Sequence, residues 1–200
     1  MAEAKPRVRM NAVARRALLL EVAESVFVEQ GFTQSGLAEI ADRAGVSKTL
    51  LYHYFPDGRP ELYREVMSRL VNELVNRLRL AGSAPVSAES RVTAVAEQFL
   101  QYFSDEPAAF RLLMLEPWGS GDSSIEAQAM AVRVLIGYEL NVLLAASGRP
   151  VSHTMAASAA TVGSLLHVAE LWMSGQIERD DAVEVVGDYV RGGLISLGML

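Results

Sequence analysis

The stretch "LAEIADRAGVSKTLLYHYF", residues 37–55, holds two short apolar-periodic runs broken by Ala-Gly-Val-Ser, and the second run ends in four consecutive rings, Tyr52, His53, Tyr54 and Phe55. Neighbouring positions on a helix are turned by about 100°, so four adjacent rings cannot all face one core. The spacing sorts them. Ile40, Ala44, Val46, Leu51 and Tyr54 fall at inward positions, and Ala41 offers a small side chain where two helices cross. Gly45 suits the left-handed residue of a tight turn, and Ser47 suits the cap of the second helix. Two short helices joined this way form a helix-turn-helix. Phe55 and the preceding helix's Leu19, Val22, Ala23, Val26 and Phe27 supply the remaining core. The second helix then presents Lys48, Thr49, Tyr52 and His53 outward. An ammonium, a hydroxyl, a phenol and an imidazole near a helix N-terminus are groups that meet phosphates and base edges.

Outside this stretch the apolar period stays close to 3.6, with short Gly, Pro or Ser breaks and no period-2 strand or repeat, so the fold class is all-α. Helices are expected over 11–30, 37–44, 48–54, 60–81, 88–104, 107–116, 122–147, 151–174 and 179–198, about nine in all. Pro60, Pro107 and Pro150 suit first helical turns, and Gly31 and Gly175 suit positions just past helix ends. The partition this implies is an N-terminal arm and three-helix DNA-binding domain over 1–57, then a larger helical domain over 58–200. The helix after Pro60 would join them.

The 200 residues are half apolar, enough for a sizeable core, and contain no cysteine, which excludes disulfides, thiolate metal sites and a cysteine nucleophile. The net charge of −6 is uneven: residues 1–79 carry 12 basic and 10 acidic side chains, whereas residues 80–200 carry 6 and 14. Lys5, Arg7, Arg9, Arg15 and Arg16 occur with no acid between Ala4 and Leu20, which reads either as a phosphate-seeking arm or as a solvated terminus. No export signal and no uninterrupted apolar run of membrane-spanning length stands out, so a cytoplasmic protein without a membrane partner is expected. No hydrolase, nucleotide-binding or metalloprotease motif occurs, and His53, His153 and His167 are scattered. The expectation is no enzyme, no catalytic residue, no metal and no cofactor.

Residues 11–62, through "AESVFVEQGF" and then Ala-Gly-Val-Ser-Lys followed by Leu-Tyr-x-Tyr-Phe, resemble the DNA-binding domain of TetR-family transcriptional regulators. The resemblance implies double-stranded DNA contacts from Ser35, Ser47, Lys48, Thr49, Tyr52, His53 and Tyr54. The chain departs from the family pattern in three places: Gly36 replaces a common hydroxyl residue, Thr49-Leu50 replaces Gly-Thr or Gly-Ser, and "FPDGRPEL" is one residue long. The last change puts Gly58 where a phosphate-binding lysine is usual and leaves Arg59 as its substitute. Leu50 either touches a thymine methyl or packs against the first helix.

The same resemblance implies a homodimer reading a palindromic operator, and a repressor released by a small hydrophobic effector. A TetR-like binding or interaction protein without operator affinity is the alternative, for which Gly36 and the lengthened turn leave room. The expected interface uses the last two helices, with Ala156, Ala160 and Gly163 as small surfaces and Val186, Val190 and Leu194 as an apolar stripe. An intrachain core explains that stripe equally. The expected effector pocket draws on Phe99, Phe103, Phe110, Met114, Trp118, Tyr138, His167 and Leu171, which an ordinary core would also use.

Overall fold

The computed structural model describes residues 10–200, so Lys5, Arg7 and Arg9 of the basic arm lie outside the described residues. Among the described residues the fold is all-helical: α1 (Ala12–Gln34), α2 (Leu37–Arg43), α3 (Lys48–Tyr54), α4 (Arg59–Gly82), α5 (Ala88–Asp105), α6 (Pro107–Phe110), α7 (Ser123–Ala145), α8 (Val151–Met173) and α9 (Arg179–Ser196). The chain divides into two compact units, one ending at Met67 and the other running from Ser68 to Leu200.

In the first unit, Asn11 caps α1 by accepting from the Ala14 amide at 2.8 Å. The helix breaks at Gly31, whose φ of 77° and ψ of 171° lie outside helical geometry. Leu19, Ala23, Val26 and Phe27 of α1 are buried with Ile40, Leu51 and Phe55, while Val22, Ala44, Val46 and Tyr54 are half-buried. The unit reaches beyond residue 57 because the first turns of α4 supply its core. Tyr63 is fully buried with its ring edge-on to Phe27 at 5.0 Å and to Phe32 at 4.9 Å. Arg16 pairs with Glu65 and lies 4.8 Å from the Phe55 ring centre.

In the second unit α7 packs along α8, and α9 packs on both α5 and α8. Phe103 is central: its ring meets Phe99, Tyr102 and Phe110, each at 5.1 Å. The Tyr102 hydroxyl donates to the Leu70 carbonyl at 2.9 Å, and burial pushes that phenol above its ordinary pKa. The single helix expected over 107–116 is instead α6, a wide π-helical turn (Arg111–Leu115) and a 3₁₀ turn (Glu116–Gly119). Pro117 has no amide hydrogen to continue the α ladder, which accounts for the tightening. Asp122 then caps α7, accepting from the Ser124 amide at 2.9 Å.

Candidate nucleic-acid interface and ligand cavity

The turn between α2 and α3 is built by its backbone. The amides of Ala44, Gly45 and Val46 donate to the carbonyls of Ile40, Asp42 and Ala41 at 3.0, 3.1 and 2.9 Å, and Gly45 takes a φ of 65°. The Ser47 hydroxyl accepts from the Leu50 amide at 3.1 Å and fixes the start of α3. Leu51 is thereby held in the core, and Lys48, Thr49, Tyr52 and His53 are exposed along one side of the helix. Among the described residues no carboxylate lies within ion-pair distance of Lys48. The expected outward set therefore stands together on α3, with the Tyr54 ring half-buried and edge-on to His53 at 5.4 Å. Leu50 is half-buried, between the two alternatives.

Two expected DNA contacts are engaged within the chain. Ser35 is buried, its hydroxyl donating to the Phe32 carbonyl at 2.9 Å to close the end of α1, so it does not face solvent. Arg59 lies over the Phe32 ring at 4.4 Å and donates to the Thr33 and Ser35 carbonyls at 3.2 and 3.0 Å. Those bonds, both from Nη1, satisfy carbonyls at the end of α1. Arg43 is similarly engaged by Glu29 at 2.7 Å and Glu39 at 2.6 Å.

Gly58 does what sequence reasoning did not foresee. It is buried at a φ of 69°, and a Cβ there would come within 3.0 Å of Leu37 Cδ1 and 3.2 Å of Tyr52 Cε1. The lengthened turn thus forms a seat for the Tyr52 ring. The Asp-Gly pair in "FPDGRPEL" is the turn signal from which a left-handed Gly58 could have been read.

A cavity of about 490 Å³ lies between the end of α4 and helices α5, α7 and α8. Leu78, Val95, Phe99, Ile136, Leu140 and Val162 give it an apolar wall. Its charged feature is the Arg79–Glu139 pair, with Arg79 Nε 2.9 Å from Glu139 Oε2. Gly82 lets α4 approach α7, since a Cβ there would meet Leu143 Cδ2 at 2.9 Å.

Of the expected pocket residues, Phe99 alone lines this cavity. Phe103 is consumed by the aromatic core, because it is ringed on three sides. Phe110, Met114 and His167 border a separate depression of about 190 Å³. Tyr138 stands on an open groove between α7 and α8, and Trp118 is exposed beneath the Arg133 guanidinium at 4.9 Å. Leu171 is half-buried and borders none of these cavities. The lining from α4 was missed because Leu78 and Gly82 differ in no way, as sequence, from ordinary helix-face residues.

The expected interface is also redistributed. Ala156, Ala160 and Gly163 face outward on α8, whereas Val186, Val190 and Leu194 are 2–4% exposed and belong to the chain's own core. The side of α9 carrying them is turned toward α5 and α8. No group of three or more His, Asp or Glu residues is placed to hold a metal among the described residues.

The sequence profile described as "Bacterial regulatory proteins, tetR family" matches residues 19–66, which hold most of α1, all of α2 and α3 and the first turns of α4. Over 188 residues the chain is 29% identical to the HTH-type transcriptional activator FasR of Mycolicibacterium smegmatis, covering 93% of this chain and 85% of that protein. The chain belongs to the TetR family. It shares 34% identity over 95 residues with the HTH-type transcriptional regulator BetI of Escherichia coli, 46% of this chain and 47% of that one. Two solved structures show that the likeness of fold runs the length of the chain. A transcriptional regulator from Pseudomonas aeruginosa PAO1 superposes with a TM-score of 0.77 at 20% identity, covering 95% of each chain. The fatty acid degradation regulator FadR of Bacillus halodurans gives 0.75 at 18%, covering 96% of this chain and 98% of that one. This TetR-family member is a DNA-binding transcriptional regulator, and its relatives and fold are those of regulators rather than enzymes.

Proposed function

We propose that the protein is a cytoplasmic homodimeric repressor that binds a palindromic operator and leaves it when a hydrophobic small molecule occupies the cavity beside Gly82. The observation that carries the DNA half is the polar side of α3, where Lys48, Thr49, Tyr52 and His53 stand exposed on a helix held rigidly by its cap and by Leu51. In this reading Ser47 and Lys48 meet phosphate, and Thr49, Tyr52 and His53 meet base edges or the backbone beside them. Tyr54 and Leu50 contribute from the margins of the face. Two recognition helices related by a two-fold would read two half-sites of one palindrome.

The cavity supports a neutral, largely apolar effector. Its one ion pair is internally matched, so a ligand with a formal charge would have to break it. A ligand that binds the DNA-free form better shifts the population away from operator, with a coupling of about 1–3 kcal/mol for typical allosteric proteins. α4 is the proposed lever, being one continuous helix from Arg59 to Gly82 whose last turns border the cavity. FasR is described as an activator, and the sign of regulation depends on where the bound site lies relative to a promoter. A reporter fusion reads that sign directly.

The test is fluorescence anisotropy of the purified full chain on duplex DNA from its own upstream region, at two salt concentrations and against random competitor. Saturable, competitor-resistant binding is the expected result. Binding that is equal on both DNAs across upstream and genome-selected fragments would overturn it. That outcome would favour the second reading, an interaction protein without operator affinity. Engagement of Arg43 and Arg59 within the protein favours that second reading, since it leaves Lys48 as the free cation on α3.

A further inference from the structure

The seven residues of α3 contain no Asn or Gln, the amides that pair with adenine, and no Asp or Glu, the carboxylates that accept from cytosine. Arg is absent too, so Lys48 is the one side chain on this helix of the kind that pairs with guanine. Thymine differs from the other bases in presenting a methyl group in the major groove, and an apolar contact is enough to read it.

Positions four apart stack along a helix, which sorts α3 into columns. Leu51 and Phe55 are fully buried. Lys48 and Tyr52 are exposed together, Thr49 and His53 are exposed beside them, and Leu50 and Tyr54 are half-buried at the far margin. At about 100° per residue Thr49 falls near the middle of the exposed arc, between Tyr52 and His53, and Leu50 borders it. The neighbouring rings are engaged on either side. Tyr52 lies over Gly58, its Cε1 3.2 Å and its hydroxyl 3.7 Å from where a Cβ would stand, and His53 is edge-on to Tyr54 at 5.4 Å. The methyl-bearing side chains of Thr49 and Leu50 thus stand next to each other between two placed rings.

We propose that α3 reads thymine through its methyl group, with Thr49 and Leu50 touching the C5-methyl groups of thymines in each half-site. This rests on the operator binding proposed above and names the base chemistry that the site takes. The second helix of a helix-turn-helix lies in the major groove, where those methyl groups project. A helix without amide or carboxylate side chains can discriminate there by shape and apolar burial alone. Its backbone is set beforehand, because the Ser47 hydroxyl accepts from the Leu50 amide at 3.1 Å and Leu51 anchors the next position. Leu50, being half-buried, is braced by the protein and has less side-chain freedom to lose on binding.

Fluorescence anisotropy on a duplex that the full chain selects from a random-sequence pool tests this. Each thymine of the selected half-site is replaced in turn by uracil, which removes only the C5-methyl group. Wild type, Thr49→Ser and Leu50→Ala are titrated on each duplex, and thermal melting confirms that each variant is folded. Thr49→Ser removes a methyl group and keeps the hydroxyl. Comparing thymine with uracil within one variant cancels any general loss from weakened packing. The expected result for wild type is a loss of about fourfold for each methyl group that is touched. That preference should vanish at one thymine in Thr49→Ser and at a neighbouring thymine in Leu50→Ala. Uracil tolerated at every position, a selected half-site without thymine, or a thymine preference unchanged in both variants would each overturn the inference while leaving sequence-specific binding intact. A wild type that selects no duplex over random competitor would overturn the operator reading and this one with it.

Discussion

On α3 of the first unit polar and apolar side chains are sorted by helix face, whereas on α7 and α8 of the second they are not. α3 keeps Leu51 in and Lys48, Thr49, Tyr52 and His53 out, so each residue of the stretch has one role. α7 and α8 carry apolar side chains on inner and outer faces alike, and the same residue types form a core around Phe103, a cavity beside Gly82 and an open ridge at Tyr138. The difference teaches that chemistry is readable where it contrasts with its helix. Where a whole helix is apolar, function resides in which side is left uncovered.

The comparison breaks first if the two cores are not equally essential. Tyr63→Ala and Phe103→Ala each remove a fully buried ring from an aromatic cluster. Each is expected to cost about 3–5 kcal/mol in the unit that holds it. Denaturant unfolding read by tryptophan fluorescence reports the second unit, since Trp118 and Trp172 both lie there. Loss of operator binding reports the first. Tyr63→Ala that left DNA binding intact would remove α4 from the core of the first unit.

The glycines sharpen the contrast. At Gly58 the backbone is left-handed and Leu37 and Tyr52 are in the way, so Gly58→Ala should destabilise by about 1–2 kcal/mol from the backbone alone and displace the Tyr52 ring. At Gly82 only the end of the Leu143 side chain intrudes, and Leu143 borders a cavity into which it can turn. Gly82→Ala should leave thermal stability nearly unchanged while weakening uptake of a neutral naphthylamine dye. Equal loss of stability at both positions would contradict this account of the two sites.

How much of this was legible follows from the same contrast. The helix order, the α2–α3 turn and the outward set on α3 could be read because capping, turn and facing residues each admit one physical role there. Ser35 and Arg59 carry internal bonds that their sequence position did not reveal, because a hydroxyl or guanidinium near a helix end serves an internal carbonyl as readily as a phosphate. In the second unit the aromatic side chains drew attention, yet Leu78, Gly82 and Val162 shape the cavity. Periodicity shows that Val186, Val190 and Leu194 share a side of α9, but not whether that side meets α5 or another chain.

A smaller effect concerns the cation on α3. Lys48→Ala should weaken binding to specific and random duplexes by a similar factor, about five- to tenfold, and reduce the salt slope by about one. The fold should be untouched, because Lys48 is exposed and the helix is held by Ser47. A change confined to one sequence would make Lys48 a base reader rather than a phosphate contact.

The smallest effect sets an ion pair of one unit against its counterpart in the other. The Arg43 guanidinium, 2.7 Å from Glu29 and helped by the Ser25 hydroxyl, holds the Glu29 carboxyl below its ordinary pKa. Arg77, at 2.6 Å, and then Gln101 do the same to Asp105. A carboxyl whose folded pKa is depressed adds stability that is complete above its unfolded value and disappears as pH falls through the folded one. Arg43→Ala should therefore flatten the acid dependence of hydrogen exchange in α2, and Arg77→Ala that in α5, each leaving the other unit's profile alone. Both pairs are exposed, so the effects should be slight and should fade as salt is added. Arg77 also lies 5.2 Å from the Tyr102 ring centre, which salt does not screen in the same way. A residual loss in α5 at high salt, absent from α2, would separate the ring contact from the ion pair.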